Sequence, residues 1–289
     1  MKKLTFIKRG SGRHWVGDGF PVRSIFSYHD LAETISPFLL MDYAGPTHFA
    51  PTARRRGVGA HPHRGFETVT IVYAGEVAHR DSTGTAGTIG PGDVQWMTAG
   101  SGILHEEFHG PDYARQGGPF EMIQLWANLP AQHKMTAPSH QELAREQIPT
   151  LAFPEGVGTA RIIAGAYGAT QGAARTFSPM NVWDLRLNAG KTLSVELPPE
   201  HTTSLFVLNG AILVDGQRVT AGELAVMERA GSMLAFDIEE DSTVLLLSGM
   251  PLGEPVVGHG PFVMNTHDQI AEAFRDFSAG RFGELPPAS

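Results

Sequence analysis

Phe66-Glu67-Thr68-Val69-Thr70-Ile71-Val72-Tyr73-Ala74-Gly75 decides the fold class of this chain. β-branched and aromatic residues fill the run, and the small pair Ala74-Gly75 ends it, which predicts a strand closed by a turn. Working outward, Val77 to Arg80 predicts a second strand and a Gly/Thr/Ser-rich turn follows over 82–90. Val94 to Met97, entered through Gly90-Pro91-Gly92-Asp93, and Met122 to Ala127 predict two more. Short strands at close spacing with Gly/Pro turns predict a β-sandwich or β-barrel.

The same pattern returns later in the chain. Leu205-Phe206-Val207-Leu208-Asn209-Gly210 resembles Ile71-Val72-Tyr73-Ala74-Gly75, and Ala221-Gly222-Glu223 resembles Pro91-Gly92-Asp93. Two β-patterned halves in 289 residues predict one barrel duplicated, at the usual domain size of roughly 150 residues. Between the halves, Ser139-His140-Gln141-Glu142 has the spacing of a capping box and predicts a short helix that stops before Pro149. The expected division is an N-terminal barrel over 1–135, a linker with this helix over 136–150, and a C-terminal barrel over 151–289. Thr266 with Gln269 predicts the N-terminus of a last helix, with Ile270, Ala273, Phe274 and Phe277 on its apolar face and Gly280 as its stop.

Composition excludes several chemistries. There is no cysteine, so disulfides, thiolate ligands, Cys-ligated clusters and Cys nucleophiles are all ruled out. The formal net charge of −8 argues against direct nucleic-acid binding. The basic run Arg54-Arg55-Arg56 reads as a solvated loop. The basic start has no apolar stretch after it, and no segment approaches the ~20 apolar residues of a membrane helix, so a soluble, cytoplasmic protein without membrane contact is expected. No phosphate-binding loop of the GxxxxGK[ST] type and no GxSxG elbow is present.

Of the 13 histidines, most lie in the first half of the chain. A lone His on an apolar strand is more often a satisfied core residue than a ligand. His61-Pro62-His63 is different, because residues two apart on a strand point to the same side, so two imidazoles can converge on one ion. His105 and Glu107, behind the Gly-rich turn Gly100-Ser101-Gly102, repeat that spacing. A neighbouring strand presenting this pair would complete three imidazoles and one carboxylate. Glu67 shares strand parity with His61 and His63, so the carboxylate stays open between Glu107 and Glu67. Glu106 has the opposite parity and should point away.

Gly57 to Thr70, with His61-Pro62-His63-Arg64-Gly65-Phe66-Glu67-Thr68 at its centre, resembles the first signature of the pirin family within the cupin superfamily. Ile89 to Phe108 resembles the second, and Gly260-Pro261-Phe262-Val263-Met264-Asn265-Thr266 the C-terminal one. The resemblance covers nearly the whole chain. It implies an all-β bicupin fold: two tandem cupin, jelly-roll-like barrels, the first holding a metal and the second degenerate. It implies His61, His63, His105 and Glu107 as ligands, with Glu67 beside the site or as the alternative ligand. It implies one divalent transition metal, Fe(II) first, with Mn, Ni, Co, Cu or Zn as alternatives. In the second half, the counterpart of the HxH region is expected to contain only His201, and Ala235 falls where His105 would be.

Imidazole and oxygen donors suit several of these ions, and four protein ligands leave open positions on an octahedral ion. By resemblance the activity is that of a quercetin 2,3-dioxygenase, opening a flavonol ring with O₂ to give a depside and carbon monoxide. Glu107, or in its place Glu67, would accept the 3-hydroxyl proton as the catalytic base. The family also implies an alternative, a metal- and redox-dependent regulatory protein that binds a transcription factor or a metabolic enzyme. Non-redox isomerase or hydrolytic chemistry is a third reading. A monomer is expected. Trp96, Trp126 and Trp183 read as packing aromatics, His79 and His109 as surface residues or neighbours of the ligands, and Asp42 and Tyr43 as strand-end polar residues or a pocket rim.

Overall fold

The computed structural model describes residues 1–286, so the last three positions of the expected 151–289 domain lie outside it. The chain forms two compact units, each an all-β barrel. In chain order the first strands are β1 (Leu4–Arg9), β2 (His14–Val16), β3 (Phe20–Ser27), β4 (Phe38–Phe49), β5 (Gly57–His63), β6 (Phe66–Ala74), β7 (Val77–Asp81) and β8 (Ala86–Ile89). They continue with β9 (Val94–Thr98), β10 (Ile103–His109), α1 (Pro111–Gln116), β11 (Gly118–Asn128) and β12 (Ser139–Leu143).

One unit comprises Gly12–Asp30, Phe38–Arg145 and Gly253–Ser289. Its seven-stranded sheet runs β12-β9-β6-β11-β4-β3-β2 and its four-stranded sheet runs β5-β10-β7-β8. Phe20, Val22, Val72, Val77, Ile89, Phe120 and Met122, drawn from both sheets, pack into one apolar cluster. Burial of that cluster is what closes the two sheets on each other. The last helix, α2 (His267–Ser278), starts at Thr266 with the full capping box: Thr266 accepts from the Gln269 amide and Gln269 accepts from the Thr266 amide. Its Ile270 and Ala273 pack with Phe262, Met264 and Phe282.

The other unit comprises Met1–Ser11, Leu31–Pro37 and Glu146–Leu252. Its larger sheet runs β1, Glu223–Met227, Thr202–Asn209, Ser242–Gly249, Met180–Leu187, Gly158–Ala164, Thr150–Ala152. Its smaller sheet runs Lys191–Glu196, Met233–Ile238, Ala211–Val214, Gln217–Thr220. The strand orders of the two barrels correspond, so the weak sequence repeat reflects one architecture used twice. Leu, Val and Ile from both sheets fill this second interior, with Trp183 among them.

Three expectations are corrected. The division at 136–150 does not describe the units: residues 1–11 belong to the second barrel, because β1 pairs with Glu223–Met227, and the terminal helix belongs to the first. The predicted linker helix is a strand. β12 pairs antiparallel with β9, from Ser139 opposite Thr98 to Leu143 opposite Val94. The open edge of β9 offers a full ladder of hydrogen bonds, whereas fewer than three helical turns fit before Pro149, and a helix that short has little stability of its own. Finally, register makes Ser194 and Glu196, not His201, the counterparts of His61 and His63: Ser194 faces Ala235 just as His61 faces His105. His201 precedes its strand and its Nδ1 lies 3.3 Å from Ser248 Oγ. No helix of the described residues is long and apolar enough to cross a membrane.

Candidate metal centre

β5 and β10 are antiparallel neighbours, with His105 opposite His61 and Ile103 opposite His63. Period-2 alternation therefore puts all three imidazoles on the inner face of one sheet. Ring centroids are 4.9 Å apart for His61 and His63, 4.2 Å for His61 and His105, and 4.9 Å for His63 and His105. One ring nitrogen of each lies within 4.8 Å of the others. His63 Nδ1 and both ring nitrogens of His105 are buried without a hydrogen-bond partner. Bare buried imidazole nitrogens are costly unless something ligates them, and a divalent ion does so. His61 is oriented from behind, its Nδ1 lying 2.9 Å from the Gly59 carbonyl, the usual arrangement for a ligating imidazole.

Electrostatics point the same way. Burial holds His63 and His105 well below the ordinary histidine range, with the neighbouring His61 adding to the effect, and burial also lowers His61. All three are neutral near pH 7, with lone pairs available.

Glu107 lies two residues from His105 on the same inner face and is buried. It stands beside the imidazole cluster, not within the set of mutually close donors. Its Oε1 is 3.5 Å from Thr70 Oγ1, which donates to Gln124 Oε1 at 2.9 Å. Burial pushes the Glu107 carboxyl up to about 7, against a smaller opposing pull from Thr70. Glu106 points outward, as its parity requires, and is paired with Arg55 and Arg80.

Glu67 is also buried and pushed up to about 7, but it faces elsewhere. It alternates with Thr68 and Thr70, and its Oε1 accepts from Thr98 Oγ1 at 2.8 Å. The reason is Gly65, whose φ of +88° breaks the strand between β5 and β6 and resets the parity that HxH alone would carry forward.

An aromatic wall adjoins the cluster. Phe66 and Trp126 stack at 4.2 Å, and His63 meets both edge-on, at 5.2 Å and 5.4 Å. Trp96 and Trp183 are core residues, as their sequence suggests, but Trp126 is part of the site's surroundings. The signal for it was the alternation of Gln124 and Trp126 on β11, which runs opposite Thr70 and Thr68. His79 faces Glu107 from β7 and is buried, not on the surface; its ring stacks on that of His140 at 5.6 Å. His109 is buried among Phe20, Phe49, Tyr113 and Phe120, with Nε2 2.8 Å from the Gly19 carbonyl. Asp42 accepts from Ser24 and ties β4 to β3, while Tyr43 donates to Glu121 and ties β4 to β11.

The chain beside His63 and the turn that leads into β10 are tied together. Arg64, next to His63, donates through Nε to the Ser101 carbonyl at 2.7 Å and through Nη2 to Asp276 of α2 at 2.8 Å. Its guanidinium lies over Phe282, 4.8 Å from the ring centroid. Lys134 is buried and donates to the carbonyls of Gly65 and Val263 and to Asn128 Oδ1. Burial lowers its ammonium to about 7.

Comparison with known proteins agrees with this architecture. Residues 19–127 match the Pirin family and residues 182–283 match the Pirin C-terminal cupin domain. A Pseudomonas aeruginosa protein named "Putative quercetin 2,3-dioxygenase" is 54% identical over 98% of this chain and 99% of its own. A "Pirin-like protein" of Caulobacter vibrioides is 39% identical over 87% of this chain and 89% of its own. The crystal structure of an Acinetobacter baumannii quercetin 2,3-dioxygenase superposes with a TM-score of 0.95 at 52% identity, covering 98% and 99% of the two chains. With both cupin barrels matched and relatives aligned end to end, this chain belongs to the pirin family.

Proposed function

We propose that the protein is a flavonol 2,3-dioxygenase whose metal, iron first, is held by His61, His63, His105 and Glu107. The observation that carries this reading is the convergence of three neutral imidazoles, two buried and one half-buried, next to an aromatic wall. When bound, the ion supplies a meeting point for O₂ and an electron-rich substrate oxygen. The chain's own residues do the rest. Trp126, half-buried and backed by the fully buried Phe66 ring, offers an apolar face against which a planar ring system can lie. Glu107, two residues from His105 on the same inner face, is the carboxylate placed to take the proton of a substrate hydroxyl. Thr70, itself donating to Gln124, steadies that carboxylate. The similarity to proteins named as quercetin dioxygenases supports quercetin as the first substrate to try. The test is to load the protein separately with Fe(II), Mn and Ni and to follow quercetin loss against O₂ uptake. One-to-one consumption is expected; a fully loaded protein inert with every metal would sink the reading.

A second reading, a metal- and redox-dependent regulatory protein, uses the same three imidazoles but makes the oxidation state of the ion, rather than turnover of a substrate, the output. Capture of a protein partner that depends on the oxidation state of iron, and is lost in His63→Ala, would support it over the enzyme.

A further inference from the structure

The outer face of β10 opens on a groove. Glu106 and Phe108 alternate with His105 and Glu107 and so point away from the barrel interior. Together with Arg54, Arg55, Arg80 and Arg115 they line a cavity of about 810 Å³. That is within the size range of ligand sites, roughly 300–1,000 Å³, and far more than one small ion fills.

The run Arg54-Arg55-Arg56, which sequence alone assigns to a solvated loop, is divided by the fold. Arg55 lies over Phe108, 3.8 Å from the ring centroid, and donates to Glu106 Oε1 at 3.1 Å. Arg80 Nε donates to that same oxygen at 2.6 Å. Arg56 turns to Phe49 instead, 5.4 Å from its centroid. Arg54 and Arg115 stand at the rim with side chains 81% and 69% exposed. Their partners, Asp18 and Asp112, are themselves half-exposed or more and lie outside the lining. Exposed pairs of this kind exchange readily for other carboxylates.

Four guanidinium groups and one carboxylate thus face one concavity of a chain whose formal net charge is −8. A concave surface of one sign focuses its field on ligands of the other. Arg55 and Arg80 are already paired with Glu106, the charge-assisted bond that arginine forms best, which leaves the exposed Arg54 and Arg115 as the groove's exchangeable cations. The Phe108 ring supplies an apolar floor between the charges.

We propose that this groove docks an acidic peptide segment of a protein partner, with carboxylates taken by Arg54 and Arg115 at the rim and an apolar side chain set against Phe108. The groove lies on the opposite face of β10 from the imidazole cluster, so the proposal stands apart from the choice of metal and from the dioxygenase reading.

The test uses the full-length, metal-loaded protein and a fluorescein-labelled hexaglutamate peptide, followed by fluorescence anisotropy with hexalysine as control. Saturable binding of the acidic peptide alone is expected, weakening as salt rises from about 50 to about 200 mM. Arg54→Glu/Arg115→Glu should bind about tenfold more weakly or worse at unchanged melting temperature and metal content. Should that pair melt lower, Arg54→Gln/Arg115→Gln is read in its place, with at least a several-fold loss expected. Lack of saturable binding, or unchanged affinity in a variant that folds normally, would overturn the proposal. So would displacement of the peptide by inorganic phosphate as effective as that by unlabelled hexaglutamate, which would make the groove a simple anion site.

Discussion

His105 sits directly across the β5–β10 pair from His61, with their ring centroids 4.2 Å apart. Two imidazoles from strands that meet only in the folded barrel are thereby held at ligating distance before any ion arrives. Such preorganisation is what separates a metal centre from a histidine-rich surface.

Removing that pair should remove the metal. For His61→Ala/His105→Ala, metal analysis of the purified protein is expected to fall from near one ion per chain to background. Loss of even an outer hydrogen-bond partner typically costs ~10–100-fold in affinity, and loss of two ligands should exceed that. Stoichiometric metal in the double variant would refute the assignment.

Metal affinity should rise with pH through about 7. In the metal-free protein Glu107 is protonated below about 7, well above the ordinary 4.5, whereas the three imidazoles are already neutral there. On the proposal that Glu107 ligates the ion, binding below about 7 releases a proton and weakens by up to ~tenfold per pH unit. The stability of the apoprotein runs the other way for this group. A carboxyl whose folded pKa is raised contributes stability below about 4.5 that is lost as pH rises through about 7. Isothermal titration in buffers of different ionisation enthalpy measures the proton release, and Glu107→Gln should abolish it.

Trp126→Ala should raise KM for quercetin about tenfold, equivalent to ~1.4 kcal/mol, with a smaller effect on kcat. An equal loss in kcat with KM unchanged would mean that Trp126 does not contact substrate.

Gly102→Ala should destabilise the protein by about 2–4 kcal/mol, read as a lower denaturation midpoint. The residue has φ +132°, and an added Cβ would come 2.5 Å from the Phe282 ring. A wild-type midpoint would contradict the close packing of the 100–102 turn on the C-terminal segment.

Asp276→Ala should lower both the melting temperature and metal affinity, the latter about tenfold, because it frees Arg64 from α2 and loosens the link from His63 to Ser101. Asp276→Asn, which keeps an acceptor for the guanidinium, should recover most of the affinity.

The imidazole set was legible in the sequence because strand geometry has an exact period. Once β5 is a strand, His61 and His63 must share a face, and the register that sets His105 opposite His61 adds the third. Duplication of the barrel was legible through its turns, and the last helix through its Thr266/Gln269 cap. What escaped depends on contacts distant in sequence. Nothing in Ser139-His140-Gln141-Glu142 reveals that the β9 edge awaits a partner, so local capping chemistry suggested a helix. Glu67 kept its apparent parity with His63 only until Gly65 turned the chain. The exchange of termini between the units, β1 to one barrel and α2 to the other, has no local signature at all. Trp126 does pack, on Phe66, as its sequence suggests, but only the pairing of β11 with β6 shows that it also lies beside His63.

β10 also limits how this protein can change over time. Its odd positions His105 and Glu107 look inward and its even positions Glu106 and Phe108 look outward, all within one seven-residue strand. Gain or loss of a single residue between Leu104 and Glu107 would slip the frame and swap the two sets, burying an arginine-bound carboxylate where an imidazole belongs. Point substitutions can retune either face separately. A change of length in this strand would cost both at once.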